Sequence, residues 1–171
     1  MTSEEIKKVL DSHQKWINEE DGGERANLRW ADLSCANLSG AKLSRTDLRE
    51  ANLRGAHLRN ANLRGAHLRN ADLGNADLHD ADLSNANLWG ANLFGADLSD
   101  ADLRGADLDY SCFPLWCGGS RFKCDTKLVY QLLAHIYTLD FDDPEGIKAL
   151  IKPFAIKSHR AKDLGLKEES K

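Results

Sequence analysis

No stretch of the 171 residues is apolar for long enough to span a bilayer, and the amino terminus, MTSEEIKK, is charged where a signal peptide carries its apolar core. A cytoplasmic protein is therefore expected. Cysteine is sparse: Cys35, Cys112, Cys117 and Cys124 form no evident disulfide framework, so reduced thiols are the default. With His135 the last three make a zinc set only on paper, because the short C-x-x-C pair is missing, and no metal is expected. A glycine-rich phosphate loop is missing too. A net charge of −4 and 42% hydrophobic content describe an ordinary globular chain whose length leaves no room for a second, catalytic domain.

What the chain has instead is a period of five. Leucine recurs at every fifth position from Leu28 to Leu108, seventeen times in succession, and residues 51–60 are repeated without change as residues 61–70. Alanine stands two positions before each leucine, broken only by Thr46. Asp or Asn stands one before it, broken only by Lys42, His57 and His67. In a helix every fifth residue is turned by five steps of roughly 100°, so the leucines would scatter around the axis. In a strand they would alternate between the two faces. A chain that turns its backbone between units, so that each leucine points to a common axis, satisfies the period, and such coils stack as a solenoid. Alanine then fits where the chain bends. Asp and Asn suit the corner because they bond nearby backbone N–H groups, and the glycines at the ends of repeats ease the turn.

The run from Ala26 to Tyr110 resembles the pentapeptide-repeat family, whose motif centres on Leu or Phe with Ala two before and Asp or Asn one before. The resemblance implies an all-β solenoid, a right-handed quadrilateral β-helix with four repeats per coil and about four coils. It also implies a bacterial-type protein-binding module without enzymatic activity or cofactor. Some members of the family imitate duplex DNA and bind DNA gyrase, which modulates quinolone sensitivity; gyrase is thus one candidate partner.

The flanks are expected to close the stack, since exposed coil edges offer unpaired backbone and bare leucines. Residues 1–25 read as a capping helix and linker: Thr2 and Glu5 have capping-box spacing, Ile6, Val9, Leu10, His13 and Ile17 share a face with Trp16 nearby, and Asp21-Gly22-Gly23 ends the segment. Residues 26–110 are the β-helix. Residues 111–171 read as a helical cap or dimerisation region, with one helix from near Asp125 and a second announced by Asp143 and Pro144. A monomer, or a homodimer through these helices, is expected.

Counting every twentieth residue as a vertical neighbour gives three candidate partner-binding surfaces. Arg29, Arg49 and Arg69 stack on one face, where they either hold phosphates or an acidic partner or belong to a solvated belt paired with Asp47, Glu50 and water. Asp77, Asp80, Asp82, Asp97, Asp100 and Asp102 gather on the edge between the third and fourth faces, as a partner site or as braces of their own turns. Trp89 and Phe94 point outward from the last full coil, with Trp89 above Arg69. Residues 26–70 carry a balance of +5 and residues 71–109 one of −8. Arg49, Arg54, Arg59, Arg64 and Arg69 circle one coil and face four directions, which argues against direct nucleic-acid binding, and the split argues against imitation of DNA along the whole stack, because a duplex carries one charge each ~1.7 Å throughout. No catalytic constellation emerges, since His57 and His67 lie on opposite faces with His79 in another row; the imidazoles are expected to replace corner side chains.

Overall fold

Each five-residue repeat carries five backbone N–H groups, and where they go defines the fold. In the computed structural model, which describes residues 1–112, four of the five bond backbone carbonyls in the repeats of residues 46–90, which have a turn on either side. In the repeat Ala51 to Gly55, the Ala51 N–H closes a turn on the Leu48 carbonyl at 3.1 Å. Asn52 donates down to Ala31, Leu53 up to Asp72 and Gly55 up to Gly74, at 2.7–2.9 Å. The fifth N–H, that of Arg54, is accepted by the side-chain oxygen of Asn52 at 3.1 Å. The corner Asp or Asn thus supplies the one acceptor the backbone lacks. All fourteen corners that hold Asp or Asn make this bond.

Parallel bridges join residues twenty apart, from Asn27 with Asp47 to Asn92 with Cys112. One turn of the coil therefore takes four repeats and has four faces. The leucines fill the axis, each no more than 2% exposed. Each turn places its third residue, the last of the repeat, at positive φ. Asn and Gly suit that position, yet Trp30, Arg45, Glu50 and Tyr110 adopt it as well, with φ of 57° to 60°. The ladder fixes the backbone, and outward side chains of many kinds ride on it.

Helix α1 (Ser3–Ile17) starts with the expected capping box: the Thr2 hydroxyl accepts the Glu5 N–H, and the Glu5 carboxylate accepts the Thr2 N–H. It buries Ile6 and His13 and half-buries Val9, Leu10, Trp16 and Ile17. His13 bonds the first turn of the coil with both ring nitrogens. Ala26 has no preceding leucine carbonyl to close on, and Nδ1 of His13 accepts its N–H at 3.1 Å. That leaves the ring proton on Nε2, 3.1 Å from the Ser44 carbonyl. In higher turns the equivalent carbonyl is bonded from the turn beneath; Arg49, for example, accepts from Trp30. The Asp32 carbonyl likewise takes the α-amino group of Met1 at 2.9 Å.

Gly23 shows why the linker ends in glycine: a Cβ there would lie 2.3 Å from the Trp16 backbone nitrogen. The helices read from Asp125 and from Asp143 and Pro144, the thiols Cys117 and Cys124, and His135 lie outside the described residues. Among the described residues no helix is long and apolar enough to cross a membrane.

Candidate interaction surfaces

The position after each leucine and the last position of each repeat point outward, and the ladder sets their vertical neighbours. Arg29, Arg49 and Arg69 do occupy one column, but each guanidinium is already engaged. Arg29 pairs with Glu50 at 2.9 Å and lies 3.9 Å over the Trp30 ring. Arg49 turns back onto Asp47 in its own repeat, and this hydrogen-bonded pair lowers the Asp47 carboxyl to about 2. Arg69 lies 4.1 Å over the Trp89 ring. Two of the three guanidiniums are ion-paired and the third lies over an indole ring.

The two candidate aromatics part company. Trp89 sits between Arg69 below and Tyr110 above, with ring centroids 5.1 Å from the latter, and is half-buried by its own chain. Phe94 is 68% exposed. Trp30, outside the three candidate surfaces, is 64% exposed while its indole N–H donates to Glu50 at 2.9 Å. The twenty-residue counting rule, applied to the last position of the repeat, identifies the Trp30 and Glu50 pair.

The six aspartates divide by position. Asp77, Asp82, Asp97 and Asp102 are corner residues and accept the N–H groups of His79, Ser84, Ser99 and Arg104. The hydroxyl and N–H of Ser99 hold the Asp97 carboxyl below its usual range, with His79 and Arg59 adding to the effect. Asp102 also pairs with Arg104, and Asp77 lies 3.6 Å from Arg59. Asp80 and Asp100 stand at the last position, where no turn bond calls for a carboxylate, and both are exposed.

His79 lies 3.1 Å from Asp80, and His79, Asp80 and Asp100 each bring one ligand-type atom within 4.8 Å of the others. The row count had kept His79 apart from the other histidines without seeing these neighbours. His57 and His67 correct another expectation. They occupy corners without accepting the N–H of Arg59 or Arg69, so imidazole does not replace the Asp or Asn there.

A family model described as pentapeptide repeats matches residues 24–49, 46–85 and 71–109, which together span half of the chain. The chain belongs to the pentapeptide repeat family. Among solved structures, a pentapeptide repeat protein from the thylakoid lumen of Arabidopsis thaliana is 30% identical, with 70% of this chain and 74% of that one covered and a TM-score of 0.47. A pentapeptide repeat protein from Nostoc PCC 7120 is 33% identical, with 68% and 95% covered and a TM-score of 0.31. QnrB1, a plasmid-mediated fluoroquinolone resistance protein, is 21% identical, with 69% and 72% covered and a TM-score of 0.35. No curated protein matches the chain. As a pentapeptide repeat protein it has the family's right-handed quadrilateral β-helix, and its corner aspartates are first of all parts of that architecture.

Proposed function

We propose that this pentapeptide repeat protein is a non-enzymatic interaction module of the cytoplasm. Residues 26–110 form a little over four coils, residues 1–25 close the first coil, and residues 111–171 form the other closure or a pairing element. The observation that carries the reading is the N–H accounting: each of the nine repeats of residues 46–90 bonds four of its N–H groups to backbone carbonyls in the same way, whichever side chains stand at its two outward positions. A scaffold of this kind lets surface chemistry vary without cost to the fold. Phe94, Asp80 and Asp100 are the foremost contact residues, because none of the three braces a turn through its side chain. Trp89 and the arginine column serve the module's own rigidity first.

The test is crosslinking with mass spectrometry in cells, comparing wild type with Phe94→Ser and with Asp80→Asn/Asp100→Asn. A specific partner that disappears with one variant, at unchanged melting temperature, supports the reading. A partner set indifferent to every outward residue sinks it.

A second reading has the protein bind DNA gyrase as a DNA mimic, and the six aspartates on one edge favour it. The basic lower half of that same edge weighs against it. A supercoiling assay with and without a quinolone decides: inhibition or drug protection that vanishes in Asp80→Asn/Asp100→Asn establishes the mimic, and indifference at high micromolar protein ends it.

A further inference from the structure

The two halves of the coil's cross-section distribute charge in opposite ways. On the edge formed by the first and second faces, each of the four full turns is neutral, and Asp107 and Asp109 begin a fifth. Arg29 is matched by Asp32, Arg49 and Arg54 by Asp47 and Glu50, and Arg69 by Asp72, while residues 86–95 carry no charge. On the edge formed by the third and fourth faces, no turn is neutral. Its lower two turns hold Lys42, Arg45, Arg59 and Arg64 with no acid, a balance of +4. Its upper two hold Asp77, Asp80, Asp82, Asp97, Asp100 and Asp102 against Arg104, a balance of −5. Across the boundary only Arg59 and Asp77 pair, at 3.6 Å. The rest of the strip keeps its charges segregated, and the acids stack in three columns, Asp77 with Asp97, Asp80 with Asp100 and Asp82 with Asp102, at the strand spacing of about 4.8 Å.

A strip that is positive below and negative above is complementary to itself turned upside down. We propose that this edge binds a second copy of the chain, antiparallel and side by side, about a two-fold axis lying between the second and third turns. This rests on the interaction-module reading and gives it a partner. The axis preserves the columns and reverses the turns, so Lys42 faces the second copy's Asp102 and His57 its Asp77. Asn60 faces Asp80 and Asn62 faces Asp82. No carboxylate faces a carboxylate. Lys42 with Asp102 is the ion pair in register and, because the contact is isologous, occurs twice, while Arg45, Arg59 and Arg64 face Gly105, His79 and Ser84 and attract the acids through the field of the strip. A partner of uniform charge would satisfy only half of the strip and be repelled by the other half.

The strip is narrow beside the roughly 800 Å² per partner of a standard interface. Association is therefore weak and governed by salt, with the apparent dissociation constant rising at least tenfold as screening shortens the Debye length from about 30 Å to below 10 Å. The experiment is sedimentation equilibrium on the purified full chain at low and at high salt. It is repeated with Arg45→Glu/Arg59→Glu/Arg64→Glu and with Asp80→Lys/Asp100→Lys. Glu50 and Arg45 already occupy the last position of a repeat, where Arg45, Asp80 and Asp100 stand, and Asp109 occupies the position after leucine, where Arg59 and Arg64 stand, so the fold accepts both kinds of replacement. The acidic variant alone is expected to be monomeric and the basic variant at least tenfold weaker than wild type. Their mixture should recover a heterodimer through the surviving +4 and −5 contact.

A wild type that stays monomeric at low salt overturns the proposal. So does a dimer that survives both salt and the charge variants, since that places the contact elsewhere in the chain. The wild-type salt series stands by itself if either variant misfolds. Because only this chain is present, a negative result leaves the crosslinking test of a different partner unaffected.

Discussion

The hydroxyl of Thr46 lies 3.0 Å from Nε2 of His13, and neither side chain is exposed. Thr46 is the one interruption of the alanine column, and it occurs where α1 reaches in. A small residue would satisfy the bend of the coil, but here the column also meets an imidazole. Packing against the helix overrides the repeat pattern at this position.

Thr46→Ala restores the family pattern and is nevertheless expected to destabilise, by about 1 kcal/mol for one lost buried hydrogen bond. His13→Ala leaves the Ala26 N–H and the Ser44 carbonyl without partners and should cost about 2–4 kcal/mol. A urea-denaturation double-mutant cycle is expected to give a coupling of at least about 0.5 kcal/mol. Additive effects would mean that the two groups act separately.

Acid acts on the same ring. Burial is the main cause holding the His13 pKa below the ordinary histidine value of about 6.5, opposed by the bond to Ser44 and helped by nearby Arg25. The unfolded chain takes up this proton near pH 6.5 and the folded chain only at lower pH, so the unfolded state binds more protons in between. The contribution is complete above the unfolded value and is lost as pH falls towards the folded one, at up to about 1.4 kcal/mol per pH unit. Urea midpoints at pH 8, 6 and 5 should show this fall in wild type. His13→Phe, less stable at pH 8, should lack that part of the slope.

At the corners the expectation reverses. His57→Asn and His67→Asn supply the side-chain acceptor that the Arg59 and Arg69 N–H groups lack, so each should stabilise by about 0.5–1 kcal/mol. Thermal unfolding of the single and double variants checks the gain. A loss would show that the imidazoles make contacts more valuable than the turn bond.

The linker glycines should behave differently from each other. Gly22, at φ +74° with open space around its Cβ direction, should accept Asn at a cost of about 1 kcal/mol or less. Gly23→Ala drives a methyl into the backbone of Lys15 and Trp16 and should cost more than about 3 kcal/mol, or lift α1 off the coil. Thermal melts report the first effect. Protection of the Ala26 amide from hydrogen exchange reports the second.

Much of the fold was legible because a five-residue period admits so few backbones, and the family resemblance supplied the number of faces. The capping box at Thr2 and Glu5 was legible because it is local. What remained hidden were choices among partners a few ångströms apart. Arg49 had Glu50 and Asp47 within reach and took the carboxylate two residues back, and spacing alone ranks neither. Trp89 above Arg69 followed from counting twenty, but the cover by Tyr110 did not, because a ring's tilt is not set by its column. His13 read as one more residue on an apolar helix face. Its role depends on which backbone groups of the first turn lack a neighbour, and that becomes visible only when every N–H is followed to its acceptor.

The register of twenty has a further consequence for the string that occurs twice, residues 51–60 and 61–70. Ten residues are half a turn, so the copy is carried to the far side of the molecule: Arg54 and Arg64 share a sequence context and look out in opposite directions. Duplicating one pentapeptide would rotate everything after it by a quarter turn and redistribute the whole downstream surface among new faces, with the core unchanged. Four would restore the bearing and only lengthen the stack. For this protein, copying a few residues is a way of steering, and the count of copies modulo four is the heading.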